Sequence, residues 1–118
     1  MKDFNESALS EIIELEETGE IGLVEGLIND YLSNCPSLIQ VIENSAVNKD
    51  FGALERAIHS FKSSSSLVGL ELTAEVALEI EYQAREHVFS PGRFEELKNR
   101  LELGQRELAQ FQKARYGK

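Results

Sequence analysis

The chain has 118 residues, of which 42% are hydrophobic and 28% charged, a composition typical of one globular domain with its own core. Its net charge of −9 argues against nucleic acid as a partner, because binding to phosphate backbones needs a basic surface. Cys35 is the only cysteine, which excludes a disulfide within the chain, and no apolar run approaches the roughly 18 residues that span a membrane. The first residues are polar and lack the apolar segment of a secretory signal. We therefore expect a single cytoplasmic domain over residues 1–118.

Apolar residues recur at helical spacing along almost the whole chain, and no run shows the alternation expected of a strand. A short first helix is predicted before Gly19 from the apolar residues Phe4, Ala8, Ile12 and Leu15. A second helical segment runs from Ile21 to Cys35, and its apolar stripe continues to Ile42. Pro36 can either kink one long helix or occupy the first turn of a new one.

The middle of the chain predicts two further helices. A turn that ends in Asp50, a good N-cap residue, precedes a third helix expected over about residues 51–66. Gly69 then interrupts the pattern, and a fourth helix is expected from Glu71 to about His87.

The last helix has a clear start, because Ser90 supplies a capping hydroxyl and Pro91 suits the first helical position. Its apolar seam extends to Phe111. The connections between the predicted helices are short, which makes sequential helices antiparallel neighbours. The sequence therefore predicts an all-α fold, an up-and-down four-helix bundle with a short additional N-terminal helix.

Residues 59–69 combine one of the two histidines of the chain with a nearby lysine and four successive serines. On a helical wheel the core face of the third helix consists of Phe51, Leu54, Ile58, Phe61 and Ser65. His59 lies about 100° from this face, with Lys62 and Ser63 as its neighbours one turn later. Glu55 and Ser66 share the flank, and because Ser63 and Ser66 are small, nothing bulky would cover the ring. An accessible imidazole beside a cation suits a group that accepts and releases a phosphoryl group.

Each of these features also has an ordinary explanation. A single histidine on a helix surface is usually a solvated polar residue, and close helix packing at Ser65 can account for the serine run. Glu81 and Arg85 are four residues apart on the fourth helix and can form a surface ion pair of little energetic value. In the functional interpretation, Arg85 adds positive potential at the phosphoryl site, and Glu81 orients Lys62 or Arg85.

Taken together, these residues resemble the histidine-containing phosphotransfer (HPt) domains of two-component phosphorelays. Residues 59–65 are similar to the family pattern His-x-Leu-Lys-Gly-Ser-Ser, and Val68 and Gly69 supply the apolar residue and the glycine ten residues after the histidine. Residues 80–85 resemble the Leu-Glu-x-x-x-Arg element of the next helix. The resemblance extends from about Ile12 to Leu108.

The resemblance implies that His59 accepts a phosphoryl group from an aspartate of one receiver domain and passes it to another. Lys62 carries over as the cation that stabilises the phosphoryl group. No kinase activity and no cofactor are implied for this chain, because the receiver supplies both Mg²⁺ and the reactive aspartate. The chain departs from the family pattern at Ser63, which replaces a glycine that leaves room for the phosphorylated ring. It also departs at Phe61, which replaces a leucine, and at Thr73, where an apolar residue is commoner.

The expected partner is the receiver domain of a response regulator or of a hybrid histidine kinase, bound to a monomeric bundle. Leu67 and Leu70 are the candidates for the docking patch, and Ile12 or Leu15 would cover the end of the bundle. A docking or inhibitory module of the same fold, which binds such a partner without relaying phosphate, remains an alternative. A metal site is not expected, because the chain lacks the Glu-x-x-His pairs of di-iron bundles.

Overall fold

The computed structural model of the chain describes residues 3–19 and 21–117. A 3₁₀ helix precedes five α-helices, with the bounds Glu6–Leu9 for the 3₁₀ helix, then Ser10–Glu17 (α1), Leu23–Val47 (α2), Phe51–Leu67 (α3), Glu71–Arg85 (α4) and Pro91–Tyr116 (α5). Within the described ranges there is no β-strand, and the extended pairing is limited to one antiparallel bridge between Phe4 and Leu70. The predicted all-α bundle with a short extra N-terminal helix is confirmed.

The first predicted helix is divided in two. The side chain of Asn5 accepts a hydrogen bond from the Ser7 amide and begins a single 3₁₀ turn, after which α1 continues the helical path. α2 is one continuous helix, with Pro36 inside it and exposed to solvent. Of the two arrangements that the sequence left open, the structure therefore has the single long helix.

The predicted caps are present at the starts of α3 and α5. The Asp50 carboxylate accepts a hydrogen bond from the Ala53 amide at 3.1 Å, and the Ser90 hydroxyl accepts one from the Arg93 amide at 3.2 Å. α4 ends at Arg85, two residues before the predicted end. These caps satisfy backbone amides that have no partner within their own helix.

α3 occupies the centre of the arrangement, since it packs against both α2 and α4, while α5 packs against α4 and α1 packs against α2. The domain is elongated, with extents of 46 × 25 × 20 Å. Its largest fully buried side chains come from the 3₁₀ helix, from all helices α2 to α5 and from the turn before α4, namely Leu9, Val24, Ile28, Ile42, Leu54, Ile58, Phe61, Leu70, Ile80, Glu81, Leu97 and Leu108. Glu81 is the one ionisable member of this set.

No helix in the described ranges is both long enough and apolar enough to cross a membrane.

Candidate functional site

His59 lies on an accessible flank of α3, and 58% of its side chain is exposed. The apolar face of α3, about 100° from His59 on the helical wheel, is buried at Leu54, Ile58 and Phe61. The wheel therefore predicted the position of the imidazole correctly.

A buried carboxylate from α4 contacts the ring. Only 1% of the Glu81 side chain is exposed, and its Oε2 lies 2.8 Å from Nδ1 of His59. Because an ionised carboxylate can only accept hydrogen bonds, Nδ1 carries the proton in this pair. In the neutral ring the lone pair is then on Nε2, for which the described residues provide no hydrogen-bond partner. The geometry thus presents an unprotonated ring nitrogen on the surface of the bundle.

Glu81 also binds two cations. Lys62 donates from Nζ to Oε1 at 2.7 Å, and Arg85 donates from Nη2 to Oε2 at 3.3 Å. Burial tends to raise the pKa of the Glu81 carboxyl, but the hydrogen bonds from Lys62 and His59, together with their charges, lower it by more. Its pKa is therefore below the usual value for glutamate, and the group is ionised at neutral pH.

The position of Glu81 follows from the pattern of α4. It lies between the buried residues Ile80 and Ala84 on the helix surface, so its carboxylate faces α3 rather than solvent. A buried charge at such a position must be paired and hydrogen-bonded. The sequence predicted that Glu81 orients Lys62 or Arg85; the structure places it against both and, in addition, against His59.

Glu55 was not among the predicted site residues, yet it belongs to the same charged cluster as His59, Lys62, Glu81 and Arg85. It lies one turn before His59 on α3, and its Oε1 accepts a hydrogen bond from Nε of Arg85 at 3.0 Å. The hydrogen bond to Glu55 is the main cause that raises the pKa of the Arg85 guanidinium; desolvation opposes the rise, and the charges of Glu81 and Glu55 add to it. The helical wheel placed Glu55 on the flank of His59 at a four-residue spacing, but nothing in the sequence indicated its contact with Arg85 on another helix.

The serine run divides between the surface and the core. Ser63 and Ser66 are exposed on the flank of His59, so the positions four and seven residues after the imidazole carry only small side chains. Ser65 is fully buried, and its Oγ lies 2.8 Å from the hydroxyl of Tyr31 on α2. Burial raises the pKa of the Tyr31 phenol, which therefore stays protonated. Helix packing thus accounts for Ser65, while Ser63 and Ser66 leave space around His59.

The two leucines predicted to form the docking patch lie in different environments. Leu67 is 53% exposed at the end of α3 and borders a groove of about 380 Å³ between α2 and α3, lined mainly by Leu27, Tyr31, Leu38 and Val68. The prediction that Leu70 belongs to an exposed docking patch is wrong, because its exposure is 0%. A left-handed turn at Gly69, with φ of +85°, precedes Leu70, and the Leu70 side chain packs under Gly104 of α5.

Only part of the apolar stripe of α1 packs against the rest of the bundle. Ile12 is half-buried and packs against the core, whereas Leu15 is 51% exposed. Of the two residues expected to cover the end of the bundle, only Ile12 packs against the core.

The described residues contain no group of three or more histidine, cysteine or acidic side chains placed to hold a metal ion.

One family model matches the chain. It is described as the Hpt domain and covers residues 26–107, a range that includes His59, Lys62, Glu81 and Arg85. Neither a curated protein nor a solved structure matches the chain.

Proposed function

Because the chain belongs to the Hpt domain family, whose members have a phosphotransfer role in two-component signalling, we propose that it is a phosphorelay intermediate phosphorylated on His59. The observation that carries this proposal is the 2.8 Å contact between Nδ1 of His59 and the buried Glu81 carboxylate. This contact selects the tautomer in which the exposed Nε2 has a free lone pair, and such a nitrogen can act as a nucleophile.

In the proposed reaction, Nε2 attacks the phosphorus of an aspartyl phosphate on a receiver domain. The nitrogen–phosphorus bond forms as the bond between phosphorus and the aspartyl oxygen breaks, and the electron pair returns to the receiver's carboxylate. The Nδ1 proton stays on the ring, so the phosphorylated imidazole gains positive charge. The ionised Glu81 beside Nδ1 stabilises this charge.

The residues around His59 also bind the phosphoryl oxygens and leave room for the phosphorylated ring. Lys62 and Arg85 lie on the flank of His59 and provide cations for the phosphoryl oxygens, while Glu81 orients both of them. Ser63 and Ser66 leave space for the phosphorylated ring. The receiver contributes the reactive aspartate and Mg²⁺, so this chain needs no cofactor and no kinase activity of its own.

The proposed partners are receiver domains, one that donates the phosphoryl group and a second that accepts it. They belong to a response regulator or to a hybrid histidine kinase. The receiver docks on the face that contains His59 and the exposed side chain of Leu67, beside the apolar groove between α2 and α3. We expect the chain to act as a monomer.

The test uses a receiver domain carrying labelled phosphate. The wild-type chain should take up label that is lost in acid and retained in base, as expected of phosphohistidine, and His59→Gln should take up none. His87→Asn is the matched control, because His87 is the only other histidine and adopts a left-handed backbone conformation that asparagine tolerates. Equal labelling of wild type and His59→Gln would refute the proposal. A stable complex with the receiver but no transfer would instead select the docking module.

A further inference from the structure

The first described residues of the chain bind the start of α4. Asp3 is buried, with 5% of its surface exposed, and its carboxylate accepts hydrogen bonds from the backbone amides of Leu72 at 2.5 Å and Thr73 at 3.2 Å. The hydroxyl of Thr73 donates to the same carboxylate. Asp3 thus acts as the N-terminal cap of a helix that begins almost 70 residues later in the sequence.

This cap replaces one that α4 lacks. The residue at its own N-cap position is Leu70, whose side chain makes no capping hydrogen bond. A carboxylate at this end interacts favourably with the helix dipole and satisfies amides that have no partner in the first turn. The cap also explains Thr73, which stands where the family more often has an apolar residue, because its hydroxyl is a donor to Asp3.

The two residues after Asp3 form hydrogen bonds and a backbone bridge with the turn between α3 and α4. Phe4 forms the antiparallel bridge with Leu70, and the Asn5 amide donates to the Gly69 carbonyl at 2.7 Å. The Asn5 side chain also donates to the Glu71 carboxylate at 2.8 Å. We call residues 3–5 the N-terminal strap.

The strap is also bound to α5. The backbone amides of Asp3 and Phe4 each donate to the Glu107 carboxylate at 3.0 Å. Gly69 leaves the space that the strap needs, because a Cβ added there would lie 2.5 Å from the Asn5 carbonyl oxygen. The strap therefore joins the α3–α4 turn to α5.

We propose that the N-terminal strap sets the position of α4 and, through α4, the alignment of Glu81 with His59, which makes Asp3 a positioning residue. The inference rests on the proposed function for its consequence in phosphotransfer. The strap lies outside residues 26–107, the range that matches the Hpt family model.

The strap is coupled to Glu81 through the rigid body of α4. Thr73 and Glu81 are eight residues apart on one helix, a distance of about 12 Å along a continuous hydrogen-bonded rod. A shift of the first turn of α4 therefore moves the Glu81 carboxylate relative to α3. The hydrogen bond to Nδ1 of His59 has little tolerance for such a shift, because hydrogen bonds weaken steeply with poor geometry.

The test compares Asp3→Asn and Thr73→Val with wild type by two measurements. The first is the ¹⁵N spectrum of the His59 ring, which reports the fraction of molecules with the proton on Nδ1. The second is the rate of His59 phosphorylation by phosphoramidate, a small donor that needs no docking surface. We expect both variants to lose part of the Nδ1–H signature and Asp3→Asn to be phosphorylated about fivefold more slowly.

Ile42→Val is the matched control, because it removes one methylene from the core in α2, and the strap's hydrogen bonds, apart from those to the adjacent 3₁₀ helix, go to the α3–α4 turn, α4 and α5. It should leave both the spectrum and the phosphorylation rate unchanged. In the double variant Asp3→Asn/Thr73→Val, the rate should be no lower than in Asp3→Asn alone, because both substitutions break the same contact.

An unchanged His59 spectrum in folded Asp3→Asn would overturn the inference. If Asp3→Asn does not fold, Thr73→Val, which removes a single hydrogen bond, decides the question by the same spectrum. The spectrum does not depend on phosphotransfer. A wild-type chain that shows the Nδ1–H signature but takes up no phosphoryl group would therefore refute the proposed function and leave the positioning role to be judged by the spectrum.

Discussion

Oε2 of Glu81 lies 2.8 Å from Nδ1 of His59, so that a buried carboxylate on α4 orients an exposed imidazole on α3. The other oxygen of the same carboxylate binds Nζ of Lys62 at 2.7 Å. One side chain therefore sets both the tautomer of the ring and the position of the nearest cation. A substitution at Glu81 is expected to disturb the two together.

Glu81→Gln should slow phosphorylation of His59 by at least about tenfold, in the range found when a group that assists proton placement is lost. The amide keeps the shape of the side chain but has an NH₂ group in place of one oxygen. Because Lys62 and Nδ1 of His59 donate to different oxygens of the carboxylate, the amide can accept only one of these two hydrogen bonds in the same geometry. Initial rates of labelling by phosphoramidate measure the effect. Glu79→Gln is the control, because Glu79 is an exposed residue of the same helix that pairs with Arg93. Wild-type rates for Glu81→Gln would contradict the role given to the carboxylate.

The stability that Glu81 contributes should fall as the pH falls. Its pKa in the folded chain is below the unfolded value of about 4.3, so its contribution is fully present above that value and is lost as the pH drops through the folded pKa. The free energy of unfolding of wild type and Glu81→Gln, measured in urea from roughly pH 7 to pH 3, should therefore converge at the acid end. A difference that stays constant or widens towards low pH would be inconsistent with the lowered pKa.

Gly69→Ala should destabilise the fold by about 1–3 kcal/mol, because it places a Cβ at positive φ. The new Cβ would also approach the Asn5 carbonyl oxygen to 2.5 Å. Gly26→Ala is the matched control, since Gly26 lies in α2 with no atom within 4 Å of a Cβ. It should stabilise the chain by about 0.5–1 kcal/mol through helix propensity. Thermal or urea unfolding gives the change in the free energy of unfolding for both variants. If both substitutions stabilised the chain, or both destabilised it, the explanation from backbone conformation would be contradicted.

The Tyr31–Ser65 pair should behave as a coupled unit of the core. Tyr31→Phe leaves the buried Ser65 hydroxyl without its 2.8 Å partner and should cost about 1–3 kcal/mol. In the double variant Tyr31→Phe/Ser65→Ala, the cost should be smaller than the sum of the two single effects, because no hydroxyl is then left unpaired. A double-mutant cycle in urea measures this coupling, and strict additivity would show that the pair does not interact.

Substitutions at Leu67 and Leu70 should separate docking from folding. Leu67→Asp changes an exposed residue and should alter stability by no more than about 0.5 kcal/mol, while slowing transfer from a phosphorylated receiver. Labelling by phosphoramidate, which needs no docking, should be unaffected. Leu70→Ala removes a fully buried side chain and should cost about 2–5 kcal/mol. Normal transfer to folded Leu67→Asp would remove Leu67 from the docking face.

Much of the architecture was predictable from local patterns. The apolar periodicity identified the helices, and the caps at Asp50 and Ser90 located the starts of α3 and α5 because a cap acts over only three residues. The wheel also placed His59 correctly on a flank, since its angle to the core face depends only on helix geometry. Pro36 left open whether residues 21–42 form one long helix or two, because proline can lie inside a kinked helix or in the first turn of a new one.

The amino-acid sequence by itself determined the helical segments, the face of α3 that carries His59 and the chemical character of residues 59–69. The tertiary structure alone decided which groups meet across helices. It placed Glu81 against His59, turned Leu70 into the core and brought Asp3 to the start of α4. The physical reason is that helix periodicity orders neighbours within a few residues, whereas these contacts join residues 22 to 70 positions apart. They depend on how the helices pack against one another and on how the chain turns between them.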